Sequence, residues 1–210
     1  PPSQPLELPS RRIALAAGSP GMRPCRTLRG LWEPRGRKGR VSPHLAQSRK
    51  HAHRRGMSEV PALYREPAHA MAIARIAASH LALTGRALVP AGEDPVLALW
   101  QAPCAVLAHG TESDPRFFFA NAMALARFGM AVEAMVGLPS RLSAEALLRE
   151  ERQALLDRVT RDGFIDDYAG VRIAADGTRF RIEAATVWNL VDRDGSVHGQ
   201  AAAFSRWTEL

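Results

Sequence analysis

The sequence predicts an α+β fold, with one five-stranded antiparallel sheet, helices on one face of it and an N-terminal helix flanking it. Three observations predict this fold. The last third of the chain holds three segments of alternating or apolar residues, separated by the turn signals Asp176-Gly177 and Asp194-Gly195. Two short apolar runs, at 104–108 and 117–119, come earlier. Stretches with helical spacing lie before and after these runs.

The N-terminal part of the pattern predicts two helices. Pro67 suits the first turn of a helix, apolar residues repeat at helical spacing as far as Leu81, and Gly85 is a typical stop. Asp94 and Pro95 begin a second, shorter helix, with the aspartate as its cap. The first helix has a narrow apolar stripe, so we expect it to lie on the sheet instead of forming the core.

Two short strands and a helical segment follow. The runs 104–108 and 117–119 are predicted as buried strands because they are short and apolar. Asn121 can cap the helix that follows the second strand. Ser143 is predicted to cap a longer helix that ends at Gly163.

The long strand 178–191 decides which face of the sheet is buried. Simple alternation predicts one apolar face made of Phe180, Ile182, Ala184, Thr186, Trp188 and Leu190. The last strand, 197–207, is apolar on both faces near 201–204, which predicts a central strand covered on both sides. We expect the face with Val187 and Phe204 to require the N-terminal helix or a partner subunit.

The positive charge is concentrated in the first 57 residues. They hold 13 Lys+Arg and 2 acids, a net of +11, whereas residues 58–210 hold 15 and 19, a net of −4. The two nets add up to the +7 of the whole chain. The first segment also contains 8 prolines and 6 glycines and has no sustained periodicity, so we expect it to be a disordered basic tail.

The origin of this tail has several interpretations. Pro1 is not an initiator, so an upstream extension ahead of a start at Met57 or Met71 is the leading interpretation. A genuine linker, an organelle-targeting segment and a basic arm that binds nucleic acid through phosphates are the alternatives. Trp32 is the one aromatic residue of the tail, which gives little support to stacking on single-stranded bases.

Several classes of protein and site are excluded or disfavoured. No window approaches 18 apolar residues without a charge, which excludes a membrane-spanning helix, and we expect a cytoplasmic protein. Two cysteines cannot form a disulfide framework. Cys104, His109 and His198 lack metal-ligand spacing, and nothing near His109 suggests a haem pocket. The Asn-Cys photoreactive motif of flavin-binding relatives is absent, because Cys104 follows Pro103.

A set of short motifs resembles one family. They are His109-Gly110-Thr111, Asp114-Pro115, Phe119-Ala120-Asn121, the runs 138–145 and 166–173, Val187-Trp188-Asn189-Leu190 and the ending 199–207. In this order they resemble the MEKHLA domain, over about 66–207, and the element order is similar to the PAS fold. Bacterial members are usually small stand-alone proteins. In plants the domain ends class III homeodomain–leucine-zipper transcription factors, as a PAS-like sensory and dimer-regulating module. The homeodomain and zipper are missing, so DNA binding is not implied.

The resemblance implies a small-molecule pocket between the sheet and its helices, and no catalytic residues. The candidate lining residues are Cys104, Val106, His109, Phe118, Asn121, Phe128, Arg141, Arg181 and Trp188. The two arginines suit a carboxylate or phosphate. The alternatives are that the apolar residues only fill the core, that Asn121 only caps its helix, and that Arg141 pairs with Asp166, Asp167 or Glu145.

The leading functional hypothesis is a sensory or regulatory module without enzymatic activity. It would bind a small organic ligand, or dimerise through the outer sheet face at Val187, Asn189 and Phe204. A ligand-free interaction domain is the alternative, followed by a small enzyme of unknown reaction. A nucleophilic pair of Cys104 and His109 is disfavoured, because residues five apart in a strand point to opposite faces.

Overall fold

The structure is a computed structural model that describes the backbone of residues 59–145 and 149–210. Side chains are described for the same residues except 149–153, 156 and 160. The basic tail predicted at 1–57 lies outside the described residues. Within them, no helix combines the length and the apolar character that crossing a membrane requires.

The helices and strands follow the predicted order. The described helices are α1 (Ala62–Arg65), α2 (Pro67–Thr84), α3 (Pro95–Trp100), α4 (Ala122–Phe128), α5 (Val132–Met135) and α6 (Arg149–Asp162), with a 3-10 turn at Ser140–Ser143. The strands are β1 (Ala105–His109), β2 (Phe117–Ala120), β3 (Phe164–Ile173), β4 (Arg179–Val191), β5 (Val197–Phe204) and β6 (Arg206–Glu209). The short helices α1 and α5 were not predicted.

The strands form one antiparallel sheet in the order β2-β1-β5-β4-β3, which confirms the predicted PAS-like α+β fold. The sheet has a sixth strand because the last predicted strand divides in two at Ser205. β5 pairs with the second half of β4, from Thr186 onward, and β6 pairs with the first half, between Phe180 and Glu183. β5 and β6 therefore follow one edge of β4 in succession.

A backbone irregularity at Ala184 changes the faces of β4. Ala184 has φ +45°, a left-handed conformation that is uncommon for a residue with a Cβ atom. Ile182 precedes this position and Val187 follows it, and both side chains lie on the face of the sheet that the middle helices cover. Trp188 is therefore turned to the other face. The predicted single apolar face is wrong from Ala184 onward, because alternation assumes a strand without such an interruption.

The N-terminal helix α2 covers the face that carries Trp188. The indole Nε1 of Trp188 donates a hydrogen bond to the Ile76 carbonyl at 3.3 Å, and the ring of His80 meets the indole edge-on at 4.8 Å. The Ser79 hydroxyl donates to the Val191 carbonyl at 3.1 Å and accepts from the Val191 amide at 2.9 Å. These contacts fix α2 along the second half of β4.

The face of the sheet that was predicted to be open to a partner is therefore covered by the middle helices. Val187 and Phe204 face the helices of the middle segment, and Phe204 is 3% exposed. Asn189 donates from Nδ2 to the Val159 carbonyl of α6 at 3.4 Å. Val187 and Asn189 are half-buried and Phe204 is buried, so these three residues do not form the open outer face that was predicted, and dimerisation itself stays a prediction.

The segment before α6 also differs from the prediction. The Ser143 hydroxyl donates to the Ser140 carbonyl at 2.8 Å and closes the 3-10 turn. Ala144 then forms a β-bridge with Arg172 of β3, and α6 is described only from Arg149. Ser143 thus ends a turn that leads onto the sheet, and it is not the cap of α6.

Candidate functional site

A cavity of about 510 Å³ lies between the sheet and the helical segment. Its volume is in the range of about 300–1,000 Å³ that is typical of small-molecule pockets. Strands β1 to β5, helices α4 and α6 and the 3-10 turn all contribute to its wall. Its apolar lining consists of Leu107, Phe117, Phe128, Ala144, Leu155, Ile182, Val187, Ala201, Ala202 and Phe204.

Polar side chains occupy the rest of the wall: His109, Ser140, Arg141, Ser143, Glu145, Tyr168, Arg172 and Gln200. Most of these groups have partners within the protein. The guanidinium of Arg141 forms two hydrogen bonds to the Asp114 carboxylate, at 3.0 and 3.3 Å. Glu145 forms an ion pair with Arg179 at 2.5 Å. The ion pair predicted for Arg141 exists, but its acid is Asp114 instead of the three expected acids.

The cation of Arg172 has neutral partners. Its Nη1 donates to the Val171 carbonyl at 3.1 Å, and its Nη2 donates to the Tyr168 hydroxyl at 3.2 Å. Gly170 lies between the two side chains along β3, and a Cβ atom there would come within 2.5 Å of the Tyr168 hydroxyl. The absence of a side chain at Gly170 therefore gives the phenol room to reach the guanidinium.

Gln200 brings an amide to the cavity from the central strand β5. Its Nε2 donates to Asn189 Oδ1 at 3.2 Å, and Asn189 in turn is bonded to the Val159 carbonyl. The two amides thus link β5, β4 and α6 in one chain of hydrogen bonds. This chain fixes the orientation of the Gln200 side chain in the wall.

His109 ends β1 at the cavity wall. Its Nδ1 lies 2.9 Å from the Gly110 carbonyl oxygen, and because a carbonyl only accepts, Nδ1 carries the hydrogen of this contact. Its ring meets Phe117 edge-on at 6.3 Å. Cys104 directly precedes β1, so the two residues lie at opposite ends of the strand, roughly 16 Å apart at about 3.3 Å per residue.

Three of the residues predicted from the sequence come together in this wall: His109, Phe128 and Arg141. Val106 and Trp188 are fully buried on the opposite face of the sheet. Their strand neighbours line the cavity, and successive strand residues point to opposite faces. Their predicted place in the lining is therefore corrected.

The remaining predicted residues lie outside the wall. Asn121 caps α4, as predicted, and its four hydrogen bonds within the protein hold it in the core. Cys104 is half-buried at the edge of the core. Phe118 is half-buried and packs against the core, and it is not part of the cavity wall. Arg181 is exposed on β4.

The sequence analysis did not identify Tyr168, Arg172 and Gln200. The sequence does contain a signal for Tyr168 and Arg172. Both belong to the run 166–173, and their even spacing places them on the same face of a strand. Gln200 is a polar residue beside the apolar run 201–204, which is a second signal. No cluster of three or more His, Cys, Asp or Glu that could hold a metal ion occurs among the described residues.

A titratable group lies on the other face of the sheet. His80 is buried, and burial lowers its pKa below the ordinary value, opposed by the hydrogen bond from Nδ1 to the Arg86 carbonyl at 2.8 Å. The nearby charge of Arg86 acts in the same direction as burial. Folding therefore favours the neutral ring.

We expect His80 to make the stability of the fold depend on pH. Above about pH 6.5 the ring is neutral in both states, and its full contribution is present. As pH falls below that value, the unfolded chain takes up a proton that the folded chain resists, so stability decreases.

Urea unfolding of wild type and His80→Gln at pH 7.5 and 5.5 measures this dependence of stability on pH. Wild type should be more stable by about 1 kcal/mol at pH 7.5, from its aromatic contact. That advantage should shrink at pH 5.5, and an advantage that grows would contradict the expectation.

Comparison with known families gives one match. The family model described as the MEKHLA domain matches residues 70–209. This range contains α2 from its second turn and every strand of the sheet. Curated proteins give no match.

Solved structures with a similar arrangement include PAS and light-oxygen-voltage domains. The PAS domain of a protein from Colwellia psychrerythraea is 13% identical, with a TM-score of 0.45, and the match covers 54% of this chain and 91% of that one. The dark structure of the blue-light photoreceptor Aureochrome1 LOV is 18% identical, with a TM-score of 0.44 and coverages of 58% and 88%. An RNA-binding light-oxygen-voltage receptor is 19% identical, with a TM-score of 0.45. That match covers 53% of this chain and 31% of the receptor, so the chain spans less than a third of it.

Proposed function

The chain belongs to the MEKHLA domain family, and on that premise we propose that it is a sensory or regulatory module that binds a small organic ligand. The observation that carries the proposal is the cavity of about 510 Å³ between the sheet and the helical segment. The space is partly open to solvent, which gives a small molecule access to it, and its volume is typical of small-molecule pockets. The mixture of apolar and polar lining supports a ligand best.

The lining supports an organic molecule with an apolar body. Phe117, Phe128 and Phe204 offer aromatic surface, and Ala201 and Ala202 of β5 have short side chains that leave room over the sheet. Arg172 and Gln200 are the polar groups that would orient the ligand. Binding would favour one arrangement of the strands that form the wall, and regulation would follow as a shift of population.

Native mass spectrometry of the full chain, purified from the cells that produce it naturally, tests the proposal. We expect a reproducible extra mass of a few hundred daltons that leaves on denaturation. Ala202→Leu fills part of the cavity and should abolish the extra mass. Ala175→Leu makes the same change at an exposed position and should retain it.

Two results would contradict the proposal. An apo mass in all three proteins would favour the ligand-free interaction domain, and an extra mass retained by Ala202→Leu would place the ligand elsewhere. The same spectra report the oligomeric state. Dimerisation remains part of the proposal, on a surface other than Val187, Asn189 and Phe204, since Val187 and Phe204 line the cavity and Asn189 is bonded to α6.

A further inference from the structure

The arginines of the protein differ in how their charge is balanced. Among the side chains that the structure describes, eight arginines form ion pairs with carboxylates: Arg65, Arg75, Arg86, Arg127, Arg141, Arg158, Arg161 and Arg179. Of the other described arginines, Arg116, Arg181, Arg193 and Arg206 are exposed, and water solvates their charge. Arg172 is half-buried in the cavity wall, and no described carboxylate balances it.

Arg172 retains hydrogen-bond donors after its protein contacts are made. A guanidinium has five N–H donors, and the structure uses donors from Nη1 and Nη2 for the Val171 carbonyl and the Tyr168 hydroxyl. Because that hydroxyl accepts from Arg172, its own hydrogen is available to a further acceptor. The wall therefore presents a cation and a phenolic donor side by side.

We propose that Arg172 and Tyr168 bind the carboxylate of an apolar monocarboxylic acid whose body fills the cavity. This inference rests on the proposed function and adds the chemical class of the ligand. A carboxylate accepts hydrogen bonds from a guanidinium in matched geometry and neutralises its charge. The remaining wall, with Phe117, Phe128 and Val187, is complementary to an apolar body.

The charges around the cavity favour a single negative charge over two. Arg141 is already bonded to Asp114, and the carboxylate of Glu145 also belongs to the wall, paired with Arg179. A phosphate dianion would face one unbalanced cation and the nearby Glu145. A monocarboxylate matches the single charge of Arg172.

Two probes of the same shape test the assignment: 2-naphthoate, which carries a carboxylate, and 2-naphthamide, which is neutral. Isothermal titration uses the full chain, freed of any bound small molecule by unfolding and refolding. We expect wild type to bind the acid about tenfold more tightly than the amide. Arg172→Gln should weaken binding of the acid about tenfold and change binding of the amide less than twofold. Tyr168→Phe should weaken binding of the acid by a smaller factor.

Arg181→Gln is the matched control, because it removes an exposed arginine of the neighbouring strand β4 and should change neither affinity. Thermal unfolding of each variant without probe verifies that the fold is retained, and Tyr168→Phe provides a second, milder test. Equal affinity of wild type for both probes, or an acid preference that survives Arg172→Gln, would overturn the carboxylate assignment and leave the cavity as a ligand site. Absence of binding by both probes would overturn the assignment as well. The proposed function is tested separately by the native mass spectrum: it fails as well if that spectrum shows no bound molecule, and it stands if a bound molecule is seen.

Discussion

Gly199→Ala is expected to destabilise the fold by about 3–5 kcal/mol, or to prevent cooperative folding. Gly199 of β5 has φ +152°, and a Cβ atom built there would lie 2.0 Å from the carbonyl oxygen of His109 and 3.2 Å from the Cα atom of Gly110. Non-bonded carbon contacts are optimal near 3.5 Å or more, and both neighbours are backbone atoms that cannot rotate away. Relief would require β1 and β5 to separate. Urea unfolding followed by circular dichroism measures the effect.

Gly195→Ala separates this contact from the general effect of a positive φ. Gly195 has φ +87°, but a Cβ atom there would meet nothing within 4 Å. This control should therefore lose only about 1 kcal/mol, the ordinary penalty for a left-handed residue other than glycine. If the two variants were equally stable, the close approach of β1 to β5 would not exist in solution.

Asn121→Ala is expected to reduce the free energy of unfolding by about 3–4 kcal/mol. The side-chain oxygen of this fully buried residue accepts from the Val106 and Ala124 amides, both at 3.0 Å. Its amide nitrogen donates to the carbonyls of Leu99 at 3.2 Å and Cys104 at 2.8 Å. Alanine would leave four backbone groups without these partners, at the meeting point of α3, β1 and α4.

Two variants sharpen this test. Asn121→Asp retains the acceptor bonds but places a buried carboxylate against two carbonyls, so at neutral pH it should be at least as destabilising as alanine. Asp94→Ala removes the cap of α3, an exposed carboxylate that accepts from the Val96 amide and also pairs with Arg65. Because an exposed ion pair contributes little, this variant should lose about 1 kcal/mol. An Asn121→Ala effect as small as that of Asp94→Ala would mean that the hydrogen bonds beyond the cap contribute nothing.

The elements that local sequence determines were predictable. The caps of α3 and α4 at Asp94 and Asn121, the C-terminal glycine of α2 and the glycine turns of the final strands all depend on neighbours a few residues away. The conformation of Ala184 could not be read in this way, since alanine carries no preference for a positive φ. It arises where the partner of β4 changes from β6 to β5, which is a tertiary event.

The candidate site was predicted in part for the same reason. His109 and Phe128 end elements whose ends were recognised, so their place in the wall followed from the fold. Arg141 was assigned through a helix start at Ser143, where the structure has a 3-10 turn instead. The predicted place of Trp188 depended on unbroken alternation through Ala184, which does not hold. Arg172 and Tyr168 are distinguished by what surrounds them, and the charge balance of the other arginines is visible only once the chain is folded.

The change of phase at Ala184 decides which of two neighbouring residues meets which layer: Val187 faces the cavity and Trp188 packs against α2. The cavity wall and the contact with α2 are therefore separated by a single peptide unit. In the proposed sensory function, a ligand that displaces Val187 would act on α2 through one strand, without a relay of intermediate side chains.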